Sequence, residues 1–385
     1  MSKLSFVDLT DDPHLALAAL RENEPVAWLD DLGGWLVTSR AMCIEVLTDD
    51  GTYTVDDERF STRRVIGPSM LSLDGPAHRR HRSAFSPNFR AREVRESLDG
   101  WITDQLGVLL DEIEPQGEGD LRASLAAPLS VMVMARILGL ESVRLKELSR
   151  WNEAITAAID EVTVGRDVPQ YGTEAFEELR SAVGSAMSGE GLLSEARDGG
   201  GLSLDEVAAN VVVLLIGGVV TSDGTMSIAL MHVLDRPDVR RSLIESPELI
   251  ARAIEESMRL EPAAAFLDRY STRDAVLGSA DIRAGDLVRV SLSAANRDPA
   301  TFDDPEEFRL DRENSEDHIA FARGPHSCLG FHVARLETTL AIRAVLERLP
   351  QVRSVPGDRV PPSGLIFRSP DRVPSVWAGE SVNLS

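Results

Sequence analysis

A long apolar helix is the feature that most constrains how this chain can fold. Ser203 and Glu206 have the spacing of a capping box, and the apolar run after them keeps helical periodicity to about Asp235, just before Pro237. At ~1.5 Å per residue, such a helix would be roughly 48 Å long. Its middle is apolar on nearly every side, so we expect a central, buried helix.

The segments around this helix predict a mainly α-helical protein with small β-sheets. Residues 26–29 and 35–38 flank a Gly33-Gly34 turn and predict a hairpin, and the alternation over residues 287–292 predicts a strand. Between them the pattern is helical. No internal repeat or convincing linker interrupts the chain, so we expect one domain over residues 1–385.

Charge and cysteine usage exclude some classes of function. The net charge of -23 argues against a nucleic-acid partner. Cys43 and Cys328 are too few for a disulfide framework and indicate a reducing compartment. The N-terminus lacks the pattern of a signal peptide, and the longest apolar stretch, residues 211–220, is shorter than the ~20 residues that cross a bilayer. We therefore expect a soluble, cytoplasmic protein without a membrane anchor.

Cys328 lies where a Gly324-Pro325 turn leads into a helix. Apolar residues recur after it with helical spacing, at Leu329, Val333, Leu336 and Leu340. A helix N-terminus offers free N–H groups and a positive dipole end, and we expect both to favour a thiolate. A thiolate is a suitable axial ligand for haem iron. The ordinary explanation of a lone cysteine is a small buried residue.

The residues around Cys328 resemble the cysteine loop of the cytochrome P450 family, with Phe, two residues, Gly, then His two before Cys and Gly two after. The segment differs in Ala322, where many bacterial members have Gly. The resemblance implies haem b as cofactor and Cys328 as the iron ligand. It also implies haem contacts from four neighbours, which are Phe321, Gly324, His326 and Gly330.

Three further patterns fit the same family in the expected order. Glu256 and Arg259, three apart on one helix face, match its Glu-x-x-Arg motif, and Arg312 after a Pro- and Phe-bearing stretch completes an implied structural triad. His78 and Arg82, and separately Arg269, match cationic residues that contact the haem propionates. Taken singly, each would be explained as a solvated cation or ion pair.

The middle of the long helix carries the family's oxygen-binding pattern in altered form. Gly217 and Gly218 interrupt it, and the resemblance implies that Gly218 contacts the cofactor. Thr221 is the implied catalytic hydroxyl, a hydrogen-bond donor to dioxygen; its ordinary role would be a bond back to the Gly217 carbonyl. Val220 stands where the family usually has an acid, and Asp223 is expected to point to another face.

These features predict a haem-thiolate monooxygenase that inserts one oxygen atom from dioxygen into a small organic substrate, in a natural-product tailoring hydroxylation or related oxidation. Because Val220 cannot relay protons, two alternatives stay open. One is a peroxide-driven or atypical haem-thiolate oxidase, and the other is a haem-binding sensor without catalytic activity.

The expected partners follow from what the chain lacks. It has no Gly-rich dinucleotide fingerprint, so electrons are expected from an external ferredoxin and an NAD(P)H-dependent reductase. Arg79 and Arg80 are candidates to steer the acidic ferredoxin. The substrate is expected to be small and apolar or aromatic, with Arg63 and Arg64 as candidate partners for a carboxylate. The resemblance implies a pocket lined by Leu71, Val219, Val220, Ala264, Phe266 and Ile366.

Overall fold

The computed structural model describes residues 6–189, 191–349 and 351–377, and helices dominate them. The α-helices are α1 (Phe6–Thr10), α2 (His14–Asn23), α3 (Arg40–Thr48), α4 (Ser61–Ile66), α5 (Gly75–Phe85), α6 (Ala91–Ile113), α7 (Ala127–Leu138), α8 (Leu145–Thr163), α9 (Gln170–Ala186), α10 (Leu192–Asp198), α11 (Leu204–Leu215), α12 (Thr221–Leu234), α13 (Pro237–Glu245), α14 (Ile250–Leu260), α15 (Leu292–Ala295) and α16 (Phe331–Arg348). The strands are β1 (Val26–Leu29), β2 (Gly34–Val37), β3 (Tyr53–Thr54), β4 (Glu118–Asp120), β5 (Phe266–Ser271), β6 (Ala275–Leu277), β7 (Ala280–Ile282), β8 (Leu287–Ser291), β9 (Arg353–Ser354) and β10 (Pro374–Val376).

The predicted central helix is confirmed. It consists of α11, a π-helical segment over Ile216–Val220 and α12, which together form one helical run of 31 residues. Ser203 and Glu206 form the expected capping box. By length and composition this helix could cross a membrane, but most of its residues are buried against α7, α9, α14 and α16. Its apolarity is therefore accounted for by the protein core.

A five-stranded sheet stands beside the helices, with strand order β1-β2-β8-β5-β3. The predicted hairpin is present: β1 and β2 pair antiparallel, with Trp28 opposite Trp35. The predicted strand near residue 290 is β8, which pairs parallel to β2 and antiparallel to β5. In the second, three-stranded sheet β10 lies between β4 and β9, so a late strand pairs with an early one.

The largest apolar cluster lies among α6 to α16 and surrounds the central helix. A separate cluster between α2, β1, β2 and β5 includes Leu17, Leu36 and Phe266. The helix α16 packs against α6, α12 and α14, so the segment that precedes it is held beside the middle of the central helix. This packing positions the candidate site.

Candidate active site

The turn over residues 321–330, here called the cysteine turn, has a backbone that few residues tolerate. Gly324 has φ 75°, and a Cβ placed there would lie 2.3 Å from the Leu47 carbonyl oxygen, so only glycine fits. Ala322 also has positive φ, at 59°, although it carries a side chain. The Cys328 N–H donates to the Phe321 carbonyl at 2.8 Å and closes the turn.

The protonation of Cys328 depends on two opposing influences. Burial raises the pKa of the Cys328 thiol, while the Gly330 N–H and the charges of Arg82 and Arg335 oppose the rise without reversing it. The Gly330 N–H at the start of the helix acts in the predicted direction, towards the thiolate, but desolvation of the buried thiol is the larger influence.

The structure brings the three predicted triad residues together in full burial. Arg259 donates to both carboxylate oxygens of Glu256, at 2.8 and 2.9 Å, and Arg312 Nε donates to the same carboxylate at 2.9 Å. The remaining guanidinium N–H groups donate to backbone carbonyls, including those of Pro305 and Asp303. Each charge is thus paired and hydrogen-bonded, the condition under which a buried ionic cluster persists.

This triad connects to the cysteine turn through the backbone between them. Arg259 also donates to the Asn296 carbonyl at 3.1 Å. The Asn296 side chain accepts the Ile319 N–H at 2.7 Å, and the Ile319 carbonyl accepts the Ala322 N–H at 2.8 Å. Four successive hydrogen bonds therefore connect the carboxylate of Glu256 to Ala322, where the positive-φ part of the turn begins.

Arg335 is a residue near the thiol that the sequence analysis missed. It forms a double hydrogen bond to Glu255, at 2.6 and 2.7 Å, and its guanidinium lies 4.9 Å from the ring centroid of Phe321. His318 donates to the same carboxylate. Because Arg335 follows Cys328 by seven residues, two helical turns, the spacing itself could have indicated a shared face.

Two histidines lie together beside the cysteine turn. The rings of His78 and His326 have centroids 4.3 Å apart, and His326 Nε2 is 2.8 Å from Asp74 Oδ1. Burial opposes ionisation of Asp74, but hydrogen bonds from His326 and Thr54 hold the pKa of that carboxyl well below its usual range. Burial lowers the pKa of His78 to about 4, and its buried Nε2 has no hydrogen-bond partner among the described residues.

Two arginines complete this cationic group. Arg82 donates to the Ser327 carbonyl at 2.7 Å and so joins α5 to the cysteine turn. Arg269 is 5% exposed, its recorded hydrogen bond is to the Asp268 carbonyl, and no carboxylate of the described residues pairs with it. Burial lowers the pKa of Arg269 to about 10. Asp74 and Asp268 act on the Arg269 charge without forming an ion pair with it, so a buried guanidinium and an unpartnered imidazole nitrogen are both available to the two carboxylates of haem.

The π-helical segment Ile216–Val220, here called the glycine segment, corrects the expectation for Gly218. A Cβ on Gly218 would lie 2.1 Å from Met134 Sδ, so this glycine permits close packing of the central helix on α7. A Cβ on Gly217 would meet nothing within 4 Å. Gly217, and not Gly218, is therefore the glycine whose missing side chain leaves open space beside the helix, suitable for a flat cofactor or a small ligand.

The hydroxyl of Thr221 donates to the Gly217 carbonyl, the ordinary bond expected for a threonine in a helix. Val220 next to it is half-buried against the helical core. As expected, Asp223 faces elsewhere: its carboxylate receives Arg122 Nε at 2.9 Å and the Ser227 hydroxyl at 3.1 Å. Burial raises the pKa of Asp223, and the Arg122 ion pair opposes that rise.

Two of the predicted pocket residues lie in the wrong place. Phe266 is 1% exposed inside the cluster around β1 and β2, and Ile366 packs against the same cluster, so neither lines a pocket beside the central helix. Phe367 packs against the helical core and pairs by a β-bridge with Ala264, which is half-buried. Neighbouring residues of an extended chain point to opposite faces, which explains why Phe367 packs on the helical core and Ile366 does not.

The other pocket candidates stay compatible with the structure. Val219 is 9% exposed on the central helix, and Leu71 is half-buried against Phe60 and Tyr270. The candidate carboxylate partners are already engaged, since Arg63 pairs with Asp56 and Arg64 lies 3.8 Å from Asp167. The expectation that these two arginines await a substrate carboxylate therefore needs correction.

A thiol on a constrained turn, two arginines and two histidines beside it and a central helix with an open glycine together fit the class of haem-thiolate proteins. The Cytochrome P450 family model matches residues 173–364. The chain is 33% identical to 20-oxo-5-O-mycaminosyltylactone 23-monooxygenase of Streptomyces fradiae, over 91% of this chain and 86% of that protein. It is also 33% identical to Cytochrome P450 107B1 of Saccharopolyspora erythraea, over 91% of both.

A solved structure agrees in fold. The crystal structure of CYP109E1 from Bacillus megaterium in complex with testosterone superimposes with a TM-score of 0.88 at 24% identity, covering 98% of this chain and all of that chain. The chain belongs to the cytochrome P450 family and is a monooxygenase, an oxidoreductase.

Proposed function

We propose that this monooxygenase oxidises a small apolar or aromatic natural product. We also propose that its site residues have the roles predicted from the sequence, except where the structure corrects them, which is at Gly218, Phe266, Ile366, Arg63, Arg64 and Arg80. The observation that carries the proposal is the buried Arg269, which forms no ion pair among the described residues, together with the unpartnered His78 Nε2, since both can donate hydrogen bonds to the carboxylates of an anionic cofactor. Titration of the haem-loaded protein with terpenoid, polyketide, aromatic and amino-acid-derived compounds tests it. A shift of the haem absorption band with one class identifies that class; no shift with any class contradicts the pocket assignment.

Haem, when bound, supplies the redox chemistry by which one atom of dioxygen enters the substrate and the other leaves as water, with two electrons and two protons consumed. Cys328 is the proposed iron ligand. Phe321, Gly324 and Gly330 shape the turn around it. His78, Arg82, Arg269 and His326 hold the propionates, with His326 oriented by Asp74 and Arg82 already bonded to the turn.

Thr221 is the proposed proton-holding group at Gly217. Since Val220 cannot ionise and Asp223 is paired with Arg122, protons reach Thr221 from water or from a polar group on the substrate. The Thr221→Ala variant tests this role. It is expected to consume reductant while releasing hydrogen peroxide, because the site loses its hydroxyl donor; unchanged coupling of electrons to product would contradict the role.

Val220 also favours a second candidate, direct use of hydrogen peroxide. Peroxide brings both the oxygen and the reducing equivalents, so the reaction needs no acid at position 220. Comparable turnover with peroxide alone and with the full electron-transfer chain would support this candidate. A protein that binds haem but oxidises nothing under either condition would instead be a sensor.

We propose an external ferredoxin and an NAD(P)H-dependent reductase as electron donors, with Arg79 as the ferredoxin contact. Arg79 is exposed, and no ion pair to it occurs among the described residues. Arg80 differs from the expectation, because its guanidinium is paired with Glu206. Arg79→Glu is expected to slow reduction and to flatten its salt dependence; an unchanged rate would remove Arg79 from the docking surface.

Two broader predictions stay part of the proposal. One domain over residues 1–385 is supported by pairing of β4 with β10 and of β2 with β8, which joins the two ends of the described chain. A cytoplasmic location is supported by the two cysteines, of which Cys43 is fully buried and unpaired.

A further inference from the structure

A buried hydrogen-bond network joins α11 to α5 at a place that the proposed function does not use. Its centre is Asn210, which is fully buried. Asn210 Oδ1 accepts the Met70 N–H at 2.7 Å, and Nδ2 donates to His81 Nδ1 at 2.9 Å and to the Glu206 carbonyl at 2.7 Å. Both side-chain amide hydrogens and the carbonyl oxygen are therefore engaged, and no other side chain of this size can make the same three bonds.

The first of these bonds holds the turn over residues 69–72. Inside that turn, Ser69 and Ser72 bond to each other, and the Leu71 N–H lies 3.4 Å from the Ser69 hydroxyl. The Met70 N–H is the group that bonds to a distant part of the described chain. Met70 points into the helical core while Leu71, a proposed pocket residue, stays half-buried. The Met70 hydrogen bond thus connects the turn that carries Leu71 to Asn210.

The other end of the network reaches the surface. The Glu206 carboxylate accepts the Ser203 N–H at 2.9 Å, pairs with Arg80 and lies 3.3 Å from His81 Nε2. Because His81 Nδ1 accepts from Asn210, the neutral ring carries its hydrogen on Nε2, which lies 3.3 Å from a Glu206 carboxylate oxygen and 3.2 Å from an Arg80 guanidinium nitrogen. The Arg80 side chain is 44% exposed. An unbroken series of polar contacts thus runs from an exposed guanidinium to the turn beside the pocket.

We propose that Asn210 is a positioning residue that holds the 69–72 turn at the substrate pocket and couples this turn to Arg80. The inference rests on the proposed function, because it needs a ligand in the pocket. An acidic group on a partner would compete with Glu206 for the Arg80 guanidinium. The Glu206 carboxylate would then interact with His81 alone, and the His81 ring controls the orientation of the Asn210 amide. Coupling of this kind is reciprocal, so pocket ligand and partner change each other's affinity by the same factor.

Two azoles test the positioning role in the haem-loaded protein. Imidazole reaches only the iron, while clotrimazole, an imidazole with three additional rings, also fills the pocket. In Asn210→Leu we expect clotrimazole to bind about tenfold more weakly, with imidazole unchanged, since the buried hydrogen bond to the Met70 N–H is lost and the turn shifts. Hydrogen exchange of the Met70 amide should accelerate. Faster exchange with unchanged clotrimazole affinity would overturn the proposal, because the bond would then serve the fold alone.

Arg79 and Arg80 provide a matched pair for the coupling and do not depend on the buried variant folding. Arg80→Gln should weaken clotrimazole about threefold, and Arg79→Gln, the same charge change on the neighbouring residue, should not. In the Asn210→Leu background, Arg80→Gln should add nothing. Equal effects of the two arginine variants would overturn the coupling, as would simple additivity with Asn210→Leu.

Failure of the proposed function would be seen separately. If the wild-type protein binds haem but neither azole shifts its spectrum, the pocket assignment fails without reference to any variant. The exchange rate of the Met70 amide in Asn210→Leu would then still decide whether Asn210 holds the turn. An unchanged rate would overturn the inference on its own.

Discussion

The cysteine turn and the glycine segment are built by opposite means. In the turn, two residues have positive φ, and buried hydrogen bonds connect its start to the carboxylate of Glu256. In the glycine segment, the helix continues with one π turn, and the decisive feature is the side chain that Gly217 lacks. An atom that must ligate a metal has to be fixed in place, whereas a small ligand needs space. The Cys328 thiol is therefore held by a turn with many contacts, whereas the space beside Gly217 exists because no neighbouring atom fills it.

The largest test of this contrast removes the anchor of the turn. Glu256→Ala leaves the buried guanidiniums of Arg259 and Arg312 without their carboxylate, and we expect a loss of about 3–5 kcal/mol in the free energy of unfolding. Urea unfolding measures it. Asp358→Ala, which breaks an exposed pair with Arg372, is the control and should cost far less, because solvent screens an exposed ion pair. Similar losses in the two variants would mean that the buried cluster is not an anchor.

Two glycine-to-alanine variants compare the regions directly. Gly324→Ala should cost about 2–4 kcal/mol, since the methyl group meets the Leu47 carbonyl and φ stays positive. Gly217→Ala should instead gain up to about 1 kcal/mol, because alanine favours a helix and meets no neighbour. Thermal unfolding measures both. The Gly217 variant should also bind imidazole more weakly in the haem-loaded protein, and unchanged binding would show that the open space lies away from the iron.

A third test concerns Glu337, which lies on α16 between the two regions. It is fully buried, and Ser222 on α12 is a polar neighbour of its carboxylate. Burial raises its pKa to about 8, and the Ser222 side chain on α12 opposes part of the rise. Above the ordinary glutamate pKa of 4.5, the folded protein therefore holds a proton that the unfolded chain has lost. Stability from this group is complete below that value and falls as pH rises through about 8.

Between pH 6 and pH 8, the free energy of unfolding should fall by at most about 2–3 kcal/mol through Glu337. Glu337→Gln should remove this part of the fall, since the amide stays neutral. Guanidinium unfolding at the two pH values measures it. Glu347→Gln, at an exposed position on the same helix, is the control and should leave the wild-type pH dependence in place. Equal slopes for wild type and Glu337→Gln would show that the acid ionises at little cost.

The smallest test concerns Ala322. Alanine at φ 59° is strained, so Ala322→Gly should stabilise the protein by up to about 1 kcal/mol despite the greater freedom of glycine in the unfolded chain. Ala320→Gly, two residues earlier at a position without positive φ, should destabilise. Thermal unfolding compares them. Stabilisation by both variants would mean that the whole turn, and not one residue, is strained.

The sequence alone predicted those structural features that follow directly from a periodic or spaced residue pattern. Apolar residues on every side of one helix placed it in the centre, and the Gly33-Gly34 turn gave the hairpin with Trp28 opposite Trp35. The spacing of Glu256 and Arg259 gave their ion pair. Each of these predictions needs only helical or strand periodicity, which is set by the backbone.

The rest depends on contacts that periodicity does not contain. Gly218 was expected to contact the cofactor but packs on Met134, because a π turn adds a residue and rotates the following side chains away from the α-helical pattern. Ile366 was chosen in place of Phe367 because alternation does not say which face is buried in which cluster. Arg80 was taken as free because its partner, Glu206, is 126 residues away.

The hydrogen bonds of Arg368 join a late part of the chain to its beginning. The beginning therefore lacks these stabilising partners until the late part has been synthesised. Arg368 donates to the Thr10 carbonyl, 358 residues earlier, and to the Asp11 carbonyl, and β2 pairs with β8. At ribosomal rates the beginning of the chain must wait roughly 20–70 s for these partners. During that time the apolar face around Leu17 and Leu36 is exposed, so slow translation or a cold host should favour aggregation, and a holdase chaperone should raise the yield of soluble protein.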